Sequence, residues 1–237
     1  MISRENSISV VLPSYNEKET MPEAIRRIKS ALGQNLLEII VVDDDSPDRT
    51  WEFVEGLNDP RCRLVRRLDK RGLASALAEG TRLAKGEVVV WLDCDLGIPP
   101  ENILALVGRL DTCEVAIGSR YVPGGEDTRP RFRAYLSYVF NGYAKLILGN
   151  HFSDWTSGFA AVKRQVLVQI PLSDKGFGDY FIDWVYRCFK RKITVVEVPY
   201  SYGLRKGGVS KTDGDWRRFL LLGMRYTLRV ISVRFGS

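Results

Sequence analysis

Histidine is nearly absent from this chain. One residue, His151, stands among 237, which excludes a histidine-based triad and a histidine-rich metal site. Cysteine is scarce as well. Cys62, Cys94, Cys113 and Cys188 show no metal-ligand spacing and read as reduced thiols of a cytosolic protein. No uncharged apolar run is long enough to span a bilayer. No signal peptide is expected, because Arg4 and Glu5 precede a strand pattern without a cleavage site. There is no internal repeat and no low-complexity stretch. No G-x-G-x-x-G follows the first apolar run, which argues against a dinucleotide enzyme.

What is there is ordinary for a folded domain: 45% hydrophobic and 27% charged residues, and a formal net charge of +6. The length suits one sizeable α/β domain, or a domain with an appendage. The basic balance points to an anionic partner, with simple solubility as the plainer reading.

Apolar β-rich runs alternate with helical patterns. Strands are expected at Ile8–Leu12, Leu36–Val42, Arg63–Arg66, from Val88, and at Val115–Gly118, Ala160–Lys163 and Ile193–Val198. Helices are expected at Met21–Leu32, Thr50–Leu57, Ala74–Ala84, Glu101–Leu110, Tyr135–Leu148, Tyr180–Phe189 and Trp216–Phe235. That alternation predicts an α/β fold with a mainly parallel sheet, whose ligands bind outside the carboxyl ends of the strands.

Polar residues gather at those ends. The run V-V-V-W-L-D-C-D from Val88 closes on Asp93 and Asp95. Two residues apart on an extended chain, they would face the same way. Two carboxylates aimed at one spot favour a divalent cation, and Mg²⁺ is typically held by one or two carboxylates plus substrate phosphates. A solvated turn with two surface acids is the competing reading. Asp43, Asp44 and Asp45 end the second strand. Asp43 is the better ligand candidate, while Asp45, Ser46 or Asp48 can serve as helix caps. Gly124, Gly125, Glu126 and Asp127 read as a mobile loop. The stretch Arg205 to Lys211, with glycines at 207 and 208, suits a phosphate through cations and backbone N–H groups.

Two helices carry a second question. Tyr135–Leu148 is apolar over most of its surface and follows Arg129, Arg131 and Arg133. It reads as a core helix or as one lying on a membrane. In Trp216–Phe235, Arg218, Arg225 and Arg229 share a face, with Leu221, Leu222, Met224 and Leu228 largely elsewhere. It reads as a membrane-surface helix or as one packed on its own domain. A boundary follows, with residues 1–211 as a catalytic domain and 212–237 as a basic amphipathic appendage.

Six short motifs in order resemble the inverting family 2 glycosyltransferases of the GT-A fold. They are L-P-S-Y-N-E at Leu12–Glu17, V-V-D-D-D-S at Val41–Ser46, D-C-D-L at Asp93–Leu96, G-S-R-Y at Gly118–Tyr121, T-S-G-F at Thr156–Phe159, and R-K-G-G-V-S-K at Arg205–Lys211. Within that family the pattern is similar to the dolichyl-phosphate mannose synthase type of polyprenyl-phosphate hexosyltransferase.

The resemblance implies a donor site of Pro13, Tyr15, Glu17, Val41 and Asp43 for base and ribose. It implies Asp93, Cys94 and Asp95 at the diphosphate, with Asp93 and Asp95 holding Mg²⁺ or Mn²⁺. Arg120, Arg205 and Lys211 would surround the phosphates, and Arg133 with Ser137 would meet the acceptor phosphate. Asp93, Asp95, Arg120 and Arg205 would be the catalytic set. The implied donor is GDP-mannose, with UDP-glucose second. The implied acceptor is a polyprenyl phosphate at the cytoplasmic face of a membrane, reached by peripheral binding, and no nucleic acid is involved. Where such synthases commonly carry a metal-contacting Gln, this chain has Gly97.

The chemistry agrees with the inventory. Transfer to a hydroxyl needs a general base; an ionised lipid phosphate needs only cations to position it. The alternatives are a family 2 transferase to a sugar hydroxyl with Asp183 or Asp154 as base, a phosphatase using Asp-x-Asp as nucleophile, and a non-catalytic binding module. The Q-x-x-R-W signature of processive polysaccharide synthases is absent. The Asp-x-Asp pair comes later than a phosphatase's first strand.

Overall fold

The computed structural model describes residues 7–176, 178–203 and 216–236, with side chains at all of these except 216–220 and 222. The first half alternates β1 (Ile8–Ser14), α1 (Met21–Leu32), β2 (Leu36–Asp43), α2 (Thr50–Gly56), β3 (Cys62–Arg66), α3 (Leu73–Leu83) and β4 (Val88–Trp91). A short 3-10 turn, Pro100–Asn102, leads into α4 (Ile103–Arg109) and β5 (Val115–Ser119). The second half holds β6 (Glu126–Asp127), α5 (Arg131–Leu148), β7 (Ala160–Lys163), α6 (Arg164–Gln169), α7 (Tyr180–Lys190), β8 (Val195–Pro199), β9 (Ser201–Tyr202) and α8 (Trp216–Phe235).

Among the described residues seven strands form one sheet, in the order β3-β2-β1-β4-β7-β5-β8. All neighbours are parallel except β7, which runs antiparallel to both β4 and β5. Both faces are covered, as a parallel sheet requires. Alternate residues of each strand go to opposite sides. Val10, Leu12, Ile39, Val41 and Val90 pack with α1 and α4. Val11, Ile40, Val42, Val89 and Trp91 pack with α3 and α7. Trp91 meets Trp184 edge-on, with ring centroids 4.7 Å apart.

One close approach explains the small residues of α3. A Cβ at Gly80 would stand 2.4 Å from Val11 Cγ1 and 2.9 Å from Val42 Cγ2. The helix rests directly on β1 and β2, and a glycine is needed there.

One expectation is corrected. The stretch at Glu126 and Asp127 pairs with Ser201 and Tyr202 in a parallel two-stranded ribbon, and Thr128 N donates to Tyr202 O at 2.9 Å. It is ordered structure, not a free loop. For α8, one of the two readings left open, packing on its own domain, is met. Val230 is fully buried and Tyr226 and Val233 pack beside it, so the helix is docked on its own domain. Arg225 and Arg229 turn toward Asp179, at 3.3 and 3.9 Å. Leu221, Met224, Leu228, Ile231 and Phe235 are left exposed. Arg229 is largely covered, while Arg225 stays about half exposed beside these apolar side chains.

Candidate active site

The strand order places the carboxyl ends of β1, β2, β4, β5 and β8 along one edge. Ser14 of β1 is in register with Asp43 of β2, and Trp91 of β4 with Ala160 at the start of β7. Because β7 runs the other way, the loop before it, Asp154–Gly158, reaches this same edge. The strand order reverses between β1 and β4, and such a switch point opens a crevice.

On the β1–β2 side the acids are individually fixed. Asp43 is fully buried and accepts from Ser46 N at 2.8 Å and Ser46 Oγ at 2.7 Å. Asp44 is buried against Arg67, whose Nε donates to it at 2.7 Å, and accepts from Gly72 N at 2.7 Å. Asp45 pairs with the half-exposed Arg66. Asp48 accepts from Thr50 N at 2.9 Å, which caps α2. So Asp44 ties down the Asp69–Gly72 turn, and from that turn Arg71 reaches over the Tyr15 ring, 5.3 Å from its centroid. Glu17 is buried, with Thr20 Oγ1 donating to it at 3.1 Å. Val41 is enclosed in the sheet, and Cys94 Sγ lies 3.3 Å from Pro13 O. The implied donor residues therefore share one corner.

Asp93 and Asp95 differ from the geometry expected of an extended strand. Strand β4 ends at Trp91, and both aspartates lie past it, Asp95 in a turn. Leu96 has a φ of 60°, a left-handed conformation uncommon outside glycine. Asp93 is exposed, whereas Asp95 is buried and accepts from Gly97 N at 2.9 Å. Both still act on one neighbour. Burial chiefly, and then the charges of Asp95 and Asp93, push the Tyr202 phenol up to about 12. Among the described residues no cluster of three or more His, Cys, Asp or Glu side chains could hold a metal by itself. Two carboxylates at a crevice suit a cation that takes its remaining ligands from a diphosphate.

Arg120 differs more sharply from the open phosphate cation that the resemblance implies. Its Nε and Nη2 each donate to the fully buried Asp154 at 2.7 Å. Nη2 also donates to Thr156 Oγ1 at 2.8 Å, and Nη1 lies 3.4 Å from Asp127. Burial works against the charge, yet Asp154 holds the guanidinium well above its usual pKa. Arg120 is a paired, buried cation that joins β5, β6 and the loop before β7.

The same knot takes hold of α5. Asn141 Nδ2 donates to Thr156 Oγ1 at 3.2 Å and to Ser137 O at 2.9 Å, and Asn141 Oδ1 accepts from Trp155 N at 2.7 Å. Ser137 is thereby brought next to the Arg120 network. Arg133, four residues before it, lies one turn away on the same helical side. Arg205 and Lys211 lie outside the described residues.

Sequence reasoning missed Asn141, Asp127, Arg129, Tyr180, Tyr202 and Tyr226. Tyr180 and Tyr226 are buried phenols whose pKa values are raised by burial first and by Asp93 among their neighbours. The only signal for them was aromatic residues in helix patterns, which core packing explains equally well.

A family model described as Glycosyl transferase family 2 matches residues 9–170. The chain belongs to that family. As a family 2 transferase chain it is 38% identical to a dolichol-phosphate mannosyltransferase of Pyrococcus furiosus over 212 residues, 87% of this chain and 59% of that protein. It thus spans well under two thirds of that relative's length. It is also 38% identical to a polyprenol monophosphomannose synthase of Mycolicibacterium smegmatis, over 87% of this chain and 81% of the relative. Among solved structures, glucosyl-3-phosphoglycerate synthase of Mycobacterium tuberculosis, in complex with Mn²⁺, UDP and glucosyl-3-phosphoglycerate, superposes with a TM-score of 0.73 at 21% identity, covering 96% of this chain and 80% of that one. That likeness is one of fold, and it agrees with the GT-A architecture read from the motifs.

Proposed function

We propose that this chain transfers a hexose, with mannose from GDP-mannose as the donor of choice, to a polyprenyl phosphate at a membrane surface. The observation that carries the reading is the state of Asp154. As a candidate base for a sugar hydroxyl it is fully buried, and both of its oxygens accept from Arg120. The other candidate, Asp183, is paired with Arg187 at 3.0 Å. A phosphate acceptor needs neither, because it arrives ionised. The polyprenyl-phosphate relatives support the same reading.

In this scheme an acceptor phosphate oxygen attacks the anomeric carbon from the face opposite the leaving group. The bond to the diphosphate breaks, and the anomeric configuration inverts. Asp93 and Asp95 would hold a divalent cation, Mg²⁺ or Mn²⁺, which would supply charge stabilisation to the leaving diphosphate. Pro13, Tyr15, Glu17, Val41 and Asp43 orient the nucleoside, with Cys94 beside them. Arg133 and Ser137 receive the acceptor phosphate, joined by Arg205 and Lys211. We assign Arg120 to positioning: it fixes the Thr156 hydroxyl and, through Asn141, the α5 turn that carries Ser137.

No described helix is long and apolar enough to cross a membrane. Yet α5 exposes Phe132, Tyr135, Tyr138, Val139 and Leu146, and α8 exposes its own apolar face. The two helices touch, with Phe140 against Tyr226 and Tyr143 Oη donating to Thr227 O. A polyprenyl phosphate leaves the bilayer only at about 0.8 kcal/mol per CH₂, so the enzyme has to reach the lipid, and this pair of helices is the surface proposed to do so. The test is a panel of GDP- and UDP-sugars against dolichyl and undecaprenyl phosphate. Product on a lipid phosphate is expected. Transfer to free sugars alone would overturn the proposal.

A further inference from the structure

The space beside Asp95 that a side chain at position 97 would fill is taken by another residue. A Cβ built on Gly97 would stand 2.9 Å from Tyr202 Cε2 and 3.1 Å from Asp95 Oδ1. The first distance is one that real side chains do not adopt. Position 97 is therefore closed to anything larger than hydrogen while the Tyr202 ring stays where it is.

The ring is held from several sides. Gly203 N donates to Gly97 O at 2.8 Å, and Tyr202 O accepts from Thr128 N at 2.9 Å and Thr128 Oγ1 at 3.0 Å. Arg129 lies over the ring 4.9 Å from its centroid, and Tyr200 meets it edge-on. Its hydroxyl, by contrast, makes no hydrogen bond among the described residues, and the residue is half-buried. A phenol is protonated at neutral pH and is then a hydrogen-bond donor. This donor stands at the Asp95 turn, with cations on the other side of its ring. A diphosphate oxygen brought to that turn by a cation on Asp93 and Asp95 is an acceptor that such a donor would stabilise.

We propose that Gly97 and Tyr202 work as one device: the glycine vacates the space, the ring occupies it, and the phenol hydroxyl donates to a diphosphate oxygen of the sugar nucleotide. This deepens the function proposed above and rests on it. Tyr202 becomes a donor-binding residue, contributed by the ribbon strand β9 instead of the main sheet.

The test titrates GDP and UDP into the intact chain with Mn²⁺, by calorimetry, and follows free Mn²⁺ by its electron paramagnetic resonance signal. Tyr202→Phe keeps the ring and leaves no partner unsatisfied among the described residues. It is expected to weaken cation-dependent binding of the preferred diphosphate about tenfold, the effect of one charge-assisted hydrogen bond, with its melting temperature unchanged. Gly97→Gln is expected to weaken binding further by displacing the ring. Gly97→Gln combined with Tyr202→Ala is expected to bind better than Gly97→Gln alone, because the two side chains compete for one space. Parental affinity in Tyr202→Phe, or no recovery in the double variant, overturns the proposal and leaves the transferase reading standing. If the unaltered chain binds neither diphosphate with Mn²⁺, both fall together.

Discussion

Asp154 and Arg120 carry full and opposite charges in a place that water does not reach. A buried pair of this kind contributes little by existing but costs a great deal when halved. Asp154→Ala should destabilise the fold by about 3–5 kcal/mol, since it strands Arg120; urea unfolding at neutral pH measures this. Asp127 and Arg129 make a second, gentler case. Burial alone would raise the Asp127 carboxyl, but Arg129's hydrogen bonds and charge outweigh it and hold it below its ordinary value. A carboxyl depressed in the folded state stabilises above its unfolded pKa of about 3.9 and loses that contribution as pH falls through the lower folded value. The stability gap between the parent and Asp127→Asn should therefore be level near neutrality and narrow below about pH 4. The sequence located Asp93, Asp95 and Asp43, because short motifs mark them, and named Asp154 only as an alternative base. It was silent on which arginine each acid had taken. Arg120 looked like an open cation because its partner Asp154 lies across a strand that enters from the far side of the chain. Pairing of that sort is settled by tertiary structure alone.

At the scale of elements, periodicity was a good guide to the longer helices, though it missed the short α6 and began α5 at Tyr135 rather than Arg131. Helix α1 has the bounds its apolar spacing predicts, Met21 to Leu32, and α8 likewise runs from Trp216 to Phe235. Pattern failed where elements are two residues long. The β6–β9 ribbon has no run to detect, and its glycine-rich approach reads as loop. Position 80 shows packing overriding propensity. Alanine is the better helix former by about 1 kcal/mol, yet Gly80→Ala should still destabilise, by about 1–3 kcal/mol. Its Cβ would enter the space of Val11 and Val42. Thermal unfolding that shows a stabilised Gly80→Ala variant would mean that α3 can lift off the sheet at little cost.

For the whole molecule, a positive balance and two long helices led the sequence reading toward a membrane held by arginines. The orientation of α8 changes how that attachment should behave. Arg225 and Arg229 lie near Asp179, and beside the half-exposed Arg225 the outward surface carries Leu228, Phe235 and their neighbours, with Phe132 and Leu146 of α5. Each apolar side chain taken fully out of water contributes about 1.5–3 kcal/mol. Leu146→Glu together with Leu228→Glu should therefore lower partition into vesicles at least tenfold, while GDP binding and melting temperature stay near parental values. Vesicle flotation across a salt series measures the first of these. Binding that vanishes at moderate salt yet ignores the two glutamates would return the arginines to the interface.

The reversed strand β7 has a consequence for how the molecule comes to exist. Strands β4 and β5 never touch; β7 fills the gap between them and comes far later in the chain. Nothing made before Ala160 can join the half-sheet that binds nucleoside to the half that ends on Arg120. The intervening polypeptide, α5 included, has to be held in a wide loop until the last central strand slots in. Contacts that span so much chain are slow to form. A nascent or truncated chain lacking β7 would expose two unpaired strand edges at its middle, so the protein is most vulnerable to aggregation just before its two halves are joined.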